Sequence, residues 1–252
     1  MLPKQFVLFL LLIFFTGSSS CYGQLSARDI VEKAEDRVIG KTSFSDMTIK
    51  IVRPSWSRDM SLKTWTKGRN LAMILITAPS KDKGTVFLKR GKEVWNWIPS
   101  IERSIKLPPS MMSQNWMGTD FTNDDLVKES STVEDYDHFL RGEESIGGYN
   151  CYRIEMIPKP EAAIVWGKVI LWIDKADFMQ LKAEFFDEDG ILVNRMEGKN
   201  IGILANRRMP QEFHMTPIDK KGNKTILIYN SLELDKPIDD SFFNTQKMKQ
   251  IR

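Results

Sequence analysis

Histidine and cysteine are scarce in this chain. Its 252 residues contain two of each. Cys21 falls in an N-terminal leader, which leaves Cys151 without a partner for an internal disulfide. Cys151 sits in an alternating run and reads as a buried structural thiol. His138 and His214 lie far apart, on separate expected strands, with no metal-ligand spacing around either. Two histidines make a catalytic triad improbable. No glycine-rich phosphate loop and no Gly-x-Ser-x-Gly elbow occurs. Basic residues form no long tract and the formal net charge is only +3, so nucleic acid is not an expected partner. The expectation is a protein that is not an enzyme and carries no cofactor.

Long apolar runs are also lacking, except at the start. Lys4 precedes an unbroken apolar stretch from Phe6 to Phe15, followed by small residues up to Gly23. That is the pattern of a secretory signal, and the run is too short to span a bilayer. Residues 1–23 are therefore expected to be removed, leaving an exported, periplasmic domain over residues 24–252. Lipid attachment at Cys21 is the minor alternative, because Ser18 stands where a lipoprotein signal prefers a branched apolar residue.

What the chain has in abundance is strand pattern. One helix is expected first: Ser26 can cap it, Asp29 stands at the third helical position, Ile30, Ala34 and Val38 share a face, and Gly40 can end it. Strands follow. Met47, Ile49 and Ile51 alternate with polar residues, as do Met60, Leu62 and Thr64. Leu71–Thr77 leads to a hairpin of Thr85–Lys89 and Glu93–Ile98. Tyr136–Ile146 and Tyr149–Ile157 flank Gly147-Gly148, a strong hairpin signal. Further strands are expected at Ile164–Ile173, Met179–Phe186, Ile191–Gly198, Lys199–Ala205, Met209–Thr216 and Thr225–Leu234, with a helical turn near Asp239–Phe243. Roughly ten strands joined by short turns imply an antiparallel meander. Several, such as Val86–Leu88 and Val94–Ile98, are apolar on both faces. One face could meet helices while the other lines a cavity; a two-sheet sandwich is the blander option.

The densest signal lies between Val94 and Leu126, which holds three of the seven tryptophans and three of the thirteen methionines. Trp95 and Trp97 share one strand face by period-two alternation, and Asn96 takes the other. Met111, Met112, Trp116, Met117 and Phe121 fall in a connecting segment, where polar residues are the rule. Flexible, polarizable methionine suits a surface that adapts to a greasy ligand. The acids Asp120, Asp124 and Asp125 have neither the spacing nor the glycine of a calcium loop; Asp124 and Asp125 fit the first turn of a helix capped by Thr122 or Asn123.

The run Val94-Trp95-Asn96-Trp97-Ile98-Pro99, Arg103, Pro108-Pro109 and Met117-Gly118-Thr119-Asp120-Phe121-Thr122-Asn123-Asp124-Asp125-Leu126 resembles the LolA-like outer membrane lipoprotein-sorting protein family. Trp172-Ile173-Asp174-Lys175, the Asp187–Gly190 turn and Ile238–Phe243 extend the resemblance over the whole mature chain. It implies a mainly β, α+β fold: one strongly curved antiparallel sheet forming a half-open barrel, with helices and a loop over the concave face. It also implies a monomeric periplasmic carrier for acyl chains of a lipid or lipoprotein. The expected partner is an inner-membrane transporter of resistance-nodulation-division or ABC type. In that reading Trp95 and Trp97 form the cavity wall, and Met111, Met112, Trp116, Met117 and Phe121 form a movable lid. The alternative is a non-enzymatic accessory or sensor subunit of a membrane transporter or signalling protein.

Overall fold

The computed structural model describes residues 25–127, 132–160, 162 and 164–251. The expected signal segment and Cys21 lie outside the described residues. Helix α1 spans Ala27–Ile39. Its start is the expected capping box: the Ser26 hydroxyl accepts from Asp29 N and the Asp29 carboxylate accepts from Ser26 N, both at 3.1 Å. Gly40 ends it. Ala27, Ile30, Val31 and Ala34 form its buried face.

The strands are β1 (Thr42–Arg53), β2 (Trp56–Lys67), β3 (Leu71–Ala78), β4 (Val86–Arg90), β5 (Glu93–Ile98) and β6 (Arg103–Lys106). Helix α2 (Asn123–Val127) intervenes. The strands continue with β7 (Tyr136–Ile146), β8 (Tyr149–Pro158), β9 (Lys168–Asp174), β10 (Gln180–Phe186), β11 (Leu192–Leu204), β12 (Arg207–Pro217) and β13 (Lys224–Leu234). Helix α3 (Thr245–Gln250) follows. All thirteen strands form one antiparallel sheet in the order β6-β5-β4-β3-β2-β1-β13-β12-β11-β10-β9-β8-β7. The sheet does not close, because β6 and β7 remain unpaired edges. The result is mainly β and half-barrel in form, not a sandwich.

Register explains why the sheet holds a single inner face. Met47 stands between Leu62 on β2 and Tyr229 on β13, and Ile49 between Met60 and Leu227. The apolar halves of three alternating strands therefore make continuous rows. That inner surface runs from Phe87 and Val94 on β4 and β5 through β1 to Met215 on β12. It continues under α1 as Ile154, Met156, Val169, Leu171 and Ala183. Phe185 and Met196 pack against both halves and join them.

The strands that read as apolar on both faces are covered on both. On the outer side of β3 and β4, Met73, Leu75, Val86 and Leu88 pack with Phe243, Met248 and Ile251 from the C-terminal segment. Asn244 caps α3 by accepting from Lys247 N at 2.7 Å.

Four details differ from the sequence reading. Among the described residues there are thirteen strands in place of about ten. Arg103–Lys106, where the sequence indicates no strand, pairs with β5 as an edge strand with no buried residue. The two expected strands Ile191–Gly198 and Lys199–Ala205 are one strand, Leu192–Leu204, that runs straight through Gly198, where a Cβ would stand 2.7 Å from the Pro210 ring on β12. Strand β9 begins at Lys168, not Ile164, because Trp166 turns inward to donate its indole N–H to Asp125 Oδ1 at 2.9 Å.

Candidate functional site

Two adjoining spaces lie between α1 and the concave sheet face. The larger, ≈ 220 Å³, is walled by Val31, Ala34 and Val38 of α1, by Phe121 and Leu126, and by sheet residues including Leu171, Phe185, Met196, Phe213, Met215 and Leu227. The smaller, ≈ 90 Å³, lies against β1–β3, bounded by Met47, Ile49, Leu62, Ile74 and Trp116. Glu35, Val38, Ile39, Leu126, Leu227 and Tyr229 border both. The lining is mostly apolar, as in sites that hold small apolar ligands.

The few polar groups are mostly satisfied among themselves. Ser43 pairs with Thr66 at 2.6 Å and Ser45 with Thr64 at 2.5 Å across β1 and β2. Arg69 donates from Nε to Glu35 Oε2 at 3.0 Å and from a terminal nitrogen to Asp36 Oδ1 at 2.6 Å. Lys89 Nζ donates to the Arg69 carbonyl at 2.7 Å. Exceptions on the lining are Arg37 Nε, Trp116 Nε1 and, where the two spaces meet, Glu35. Its Oε1 is buried and has no hydrogen-bond partner. Burial pushes its carboxyl above the usual carboxylate range, and Arg69 and, more weakly, Thr132 work against that shift.

The connecting segment between β6 and α2 is tied down toward its α2 end. Asp120 forms an ion pair with Arg53 at 3.0 Å and accepts from the Thr225 hydroxyl at 2.6 Å. Its own N–H donates to Thr225 Oγ1 at 2.9 Å. Arg58 donates to the Met117 carbonyl at 2.7 Å, and Arg53 to the Gly118 carbonyl at 3.0 Å. Gly118, at φ 79°, makes the left-handed turn that aims Asp120 inward. Thr122 and Asp125 form a second capping box, at 2.8 and 3.1 Å, which starts α2 where its sequence pointed. The acids here are caps and clips. Burial pushes the Asp125 carboxyl up, against the Trp166 and Thr122 hydrogen bonds.

The residues singled out in sequence part company. Trp116 is 1% exposed, packs on Phe87 at 5.4 Å between ring centroids, and roofs the smaller space. Phe121 borders the larger one. Met112 is buried in the same inner core, and Met111 and Met117 pack partly buried against it. Trp95 and Trp97 are a correction. They alternate with Val94 toward the outer face, beside Met73, Leu88 and Phe243, and border neither space. Their rings are covered there by Lys106 and Lys249. The strand's inward residues are Val94 and Asn96, paired with Lys89 and Phe87 on β4. Glu35 was missed by the sequence reading; the available signal was an acid beside the apolar stripe of Ala34 and Val38.

His138 donates from Nε2 to the Thr132 carbonyl at 2.7 Å, and His214 pairs with Glu212 at 2.7 Å. Cys151 is buried, and burial pushes its thiol up to about 11. Among the described residues, no group of three His, Cys, Asp or Glu gathers to hold a metal ion. No helix among them is long and apolar enough to cross a membrane.

Comparison with known proteins follows the same lines. A family model whose description reads "Uncharacterized protein" matches residues 68–250. No curated protein matches the chain in sequence. Among solved structures, a LolA superfamily protein from Nitrosomonas europaea superposes with a TM-score of 0.77 at 23% identity, covering 89% of this chain and 100% of its own. An outer membrane lipoprotein-sorting protein domain from Vibrio parahaemolyticus gives 0.79 at 21% identity, covering 88% and 98%. A DUF1329 family protein from Desulfovibrio piger gives 0.79 at 21%, covering 88% and 97%. The chain belongs to the family that this model describes, and it shares the fold of these three solved structures.

Proposed function

We propose that this protein is a non-enzymatic periplasmic carrier of an acyl-bearing molecule, a lipid or a lipoprotein. One observation carries the reading: a mostly apolar space between α1 and the concave face of an open sheet. At ≈ 220 Å³ it is smaller than the ~300–1,000 Å³ of typical ligand sites. Cargo therefore enters with a displacement of α1 or of the α2 segment, which merges the two neighbouring spaces. Each buried methylene contributes ~0.8 kcal/mol, so affinity needs no catalytic group. Phe121 and Trp116 sit at the cavity margin in this reading, with Met111, Met112 and Met117 as the adaptable packing behind them. Handover to an inner-membrane transporter then needs only a difference in affinity between donor, carrier and acceptor. Residues 1–23 act as the export signal.

Native mass spectrometry of the protein purified from its own periplasm tests this. A bound acyl species is expected, together with uptake of an apolar fluorophore by the emptied protein. Val38→Trp, which fills the junction of the two spaces from a half-buried helix position, should reduce that uptake by about tenfold or more. A protein that is always empty and takes up no fluorophore would overturn the proposal.

A further inference from the structure

Of the cavity's buried polar atoms without a hydrogen-bond partner, Glu35 Oε1 is the acceptor where the two spaces meet. Glu35 lies on α1 with only 10% of its side chain exposed, and it borders both apolar spaces where they meet. Its two oxygens differ. Oε2 takes the Arg69 hydrogen bond at 3.0 Å, whereas Oε1 is buried without a partner. A buried acceptor left unsatisfied is costly, and α1 does not need it: the helix is capped by Ser26 and Asp29, and Arg69 also binds Asp36. The other polar side chains near it are engaged: Ser43 with Thr66, Ser45 with Thr64, Lys89 with the Arg69 carbonyl.

We infer that Glu35 reads the headgroup of the cargo, its Oε1 accepting a hydrogen bond from a hydroxyl or amide N–H carried at the head of an acyl chain. The inference rests on the carrier reading and adds the class of cargo. Neutral acyl molecules bearing a donor are selected. A fatty-acid anion offers only acceptors and negative charge to a carboxylate, and an ester without a donor leaves Oε1 unanswered. A hydroxyl head describes an acylglycerol; an amide N–H head describes an N-acylated polypeptide.

The test uses four probes with the same oleoyl chain, each displacing an apolar fluorophore from the full mature protein. These are oleate, methyl oleate, monooleoylglycerol and N-methyl oleamide. At least one donor-bearing probe should bind about tenfold more tightly than methyl oleate and oleate, the scale of a hydrogen bond to a charged acceptor. Whichever of the two donor probes binds better identifies the source, hydroxyl or amide. In Glu35→Ala, checked for native circular dichroism, the preference should collapse while methyl oleate binds at least as well as before. If all four probes bind the wild-type protein equally, headgroup reading is overturned and the carrier reading survives. If none binds, both fall. The wild-type comparison stands without the variant, so a misfolded Glu35→Ala does not rescue the inference.

Discussion

Asp120 and Arg53 are 67 residues apart in sequence and form an ion pair at 3.0 Å, with side chains only 4% and 12% exposed. The pair fastens the connecting segment before α2 to the rim of the sheet, where β1 ends and β13 begins. The Thr225 hydroxyl completes the carboxylate's surroundings at 2.6 Å.

Removing one partner leaves a buried charge uncompensated. Asp120→Ala should therefore cost about 3–5 kcal/mol of stability, measured by urea denaturation. Replacing both Asp120 and Arg53 with apolar residues should cost clearly less than the sum of the single changes. Additive losses would show that the two side chains act independently.

Trp116 and Met117 are neighbours with different roles. Trp116 is fully buried against Phe87, so Trp116→Ala should lose about 3–5 kcal/mol. Met117 is partly buried and sits at φ 50°, a conformation glycine adopts without strain. Met117→Gly should change stability by no more than about 1 kcal/mol. Equal, large losses in denaturant titrations would mean that both are core residues.

His138 carries a pH dependence. Burial lowers its pKa below the ordinary value, so the folded state gains the second proton only at lower pH than the unfolded chain. Its contribution to stability is present above about pH 6.5 and is lost as pH falls toward the folded pKa. His138→Gln keeps a donor for the Thr132 carbonyl and removes the titration. Melting temperatures from about pH 7 to 5 should fall more steeply in the wild-type protein than in the variant. Glu35 and Asp125, with raised pKa values, act in the opposite sense but are common to both proteins, so they cancel in the comparison. Parallel curves would place His138 in solvent.

Much of this was legible in the chain. Ser26 and Asp29 announce α1 because a capping box is local chemistry, closed within four residues. Thr122 and Asp125 do the same for α2. Alternation marks β1 and β2 because their apolar residues all serve one inner face. The resemblance carried by Gly118–Leu126 and its neighbours reached the half-barrel form that the solved structures share. Edge strand β6 was hidden because it buries nothing, and α3 because six residues leave little periodicity to read.

The sequence by itself determined which residues stand together: period two puts Trp95 and Trp97 on one face and Val94 and Asn96 on the other. Only the tertiary structure decided which face looks inward. Phe243 and Met248, some 150 residues away, cover the outer side of β3 and β4 and claim the two tryptophans, leaving the cavity to α1 and the far half of the sheet. The same holds for Glu35. Its place beside an apolar helix stripe is local, but its partner Arg69 and its unanswered oxygen come from folding the sheet around the helix. Side-chain periodicity is fixed by backbone geometry, whereas the choice of side is made by whichever distant segment buries more apolar surface there.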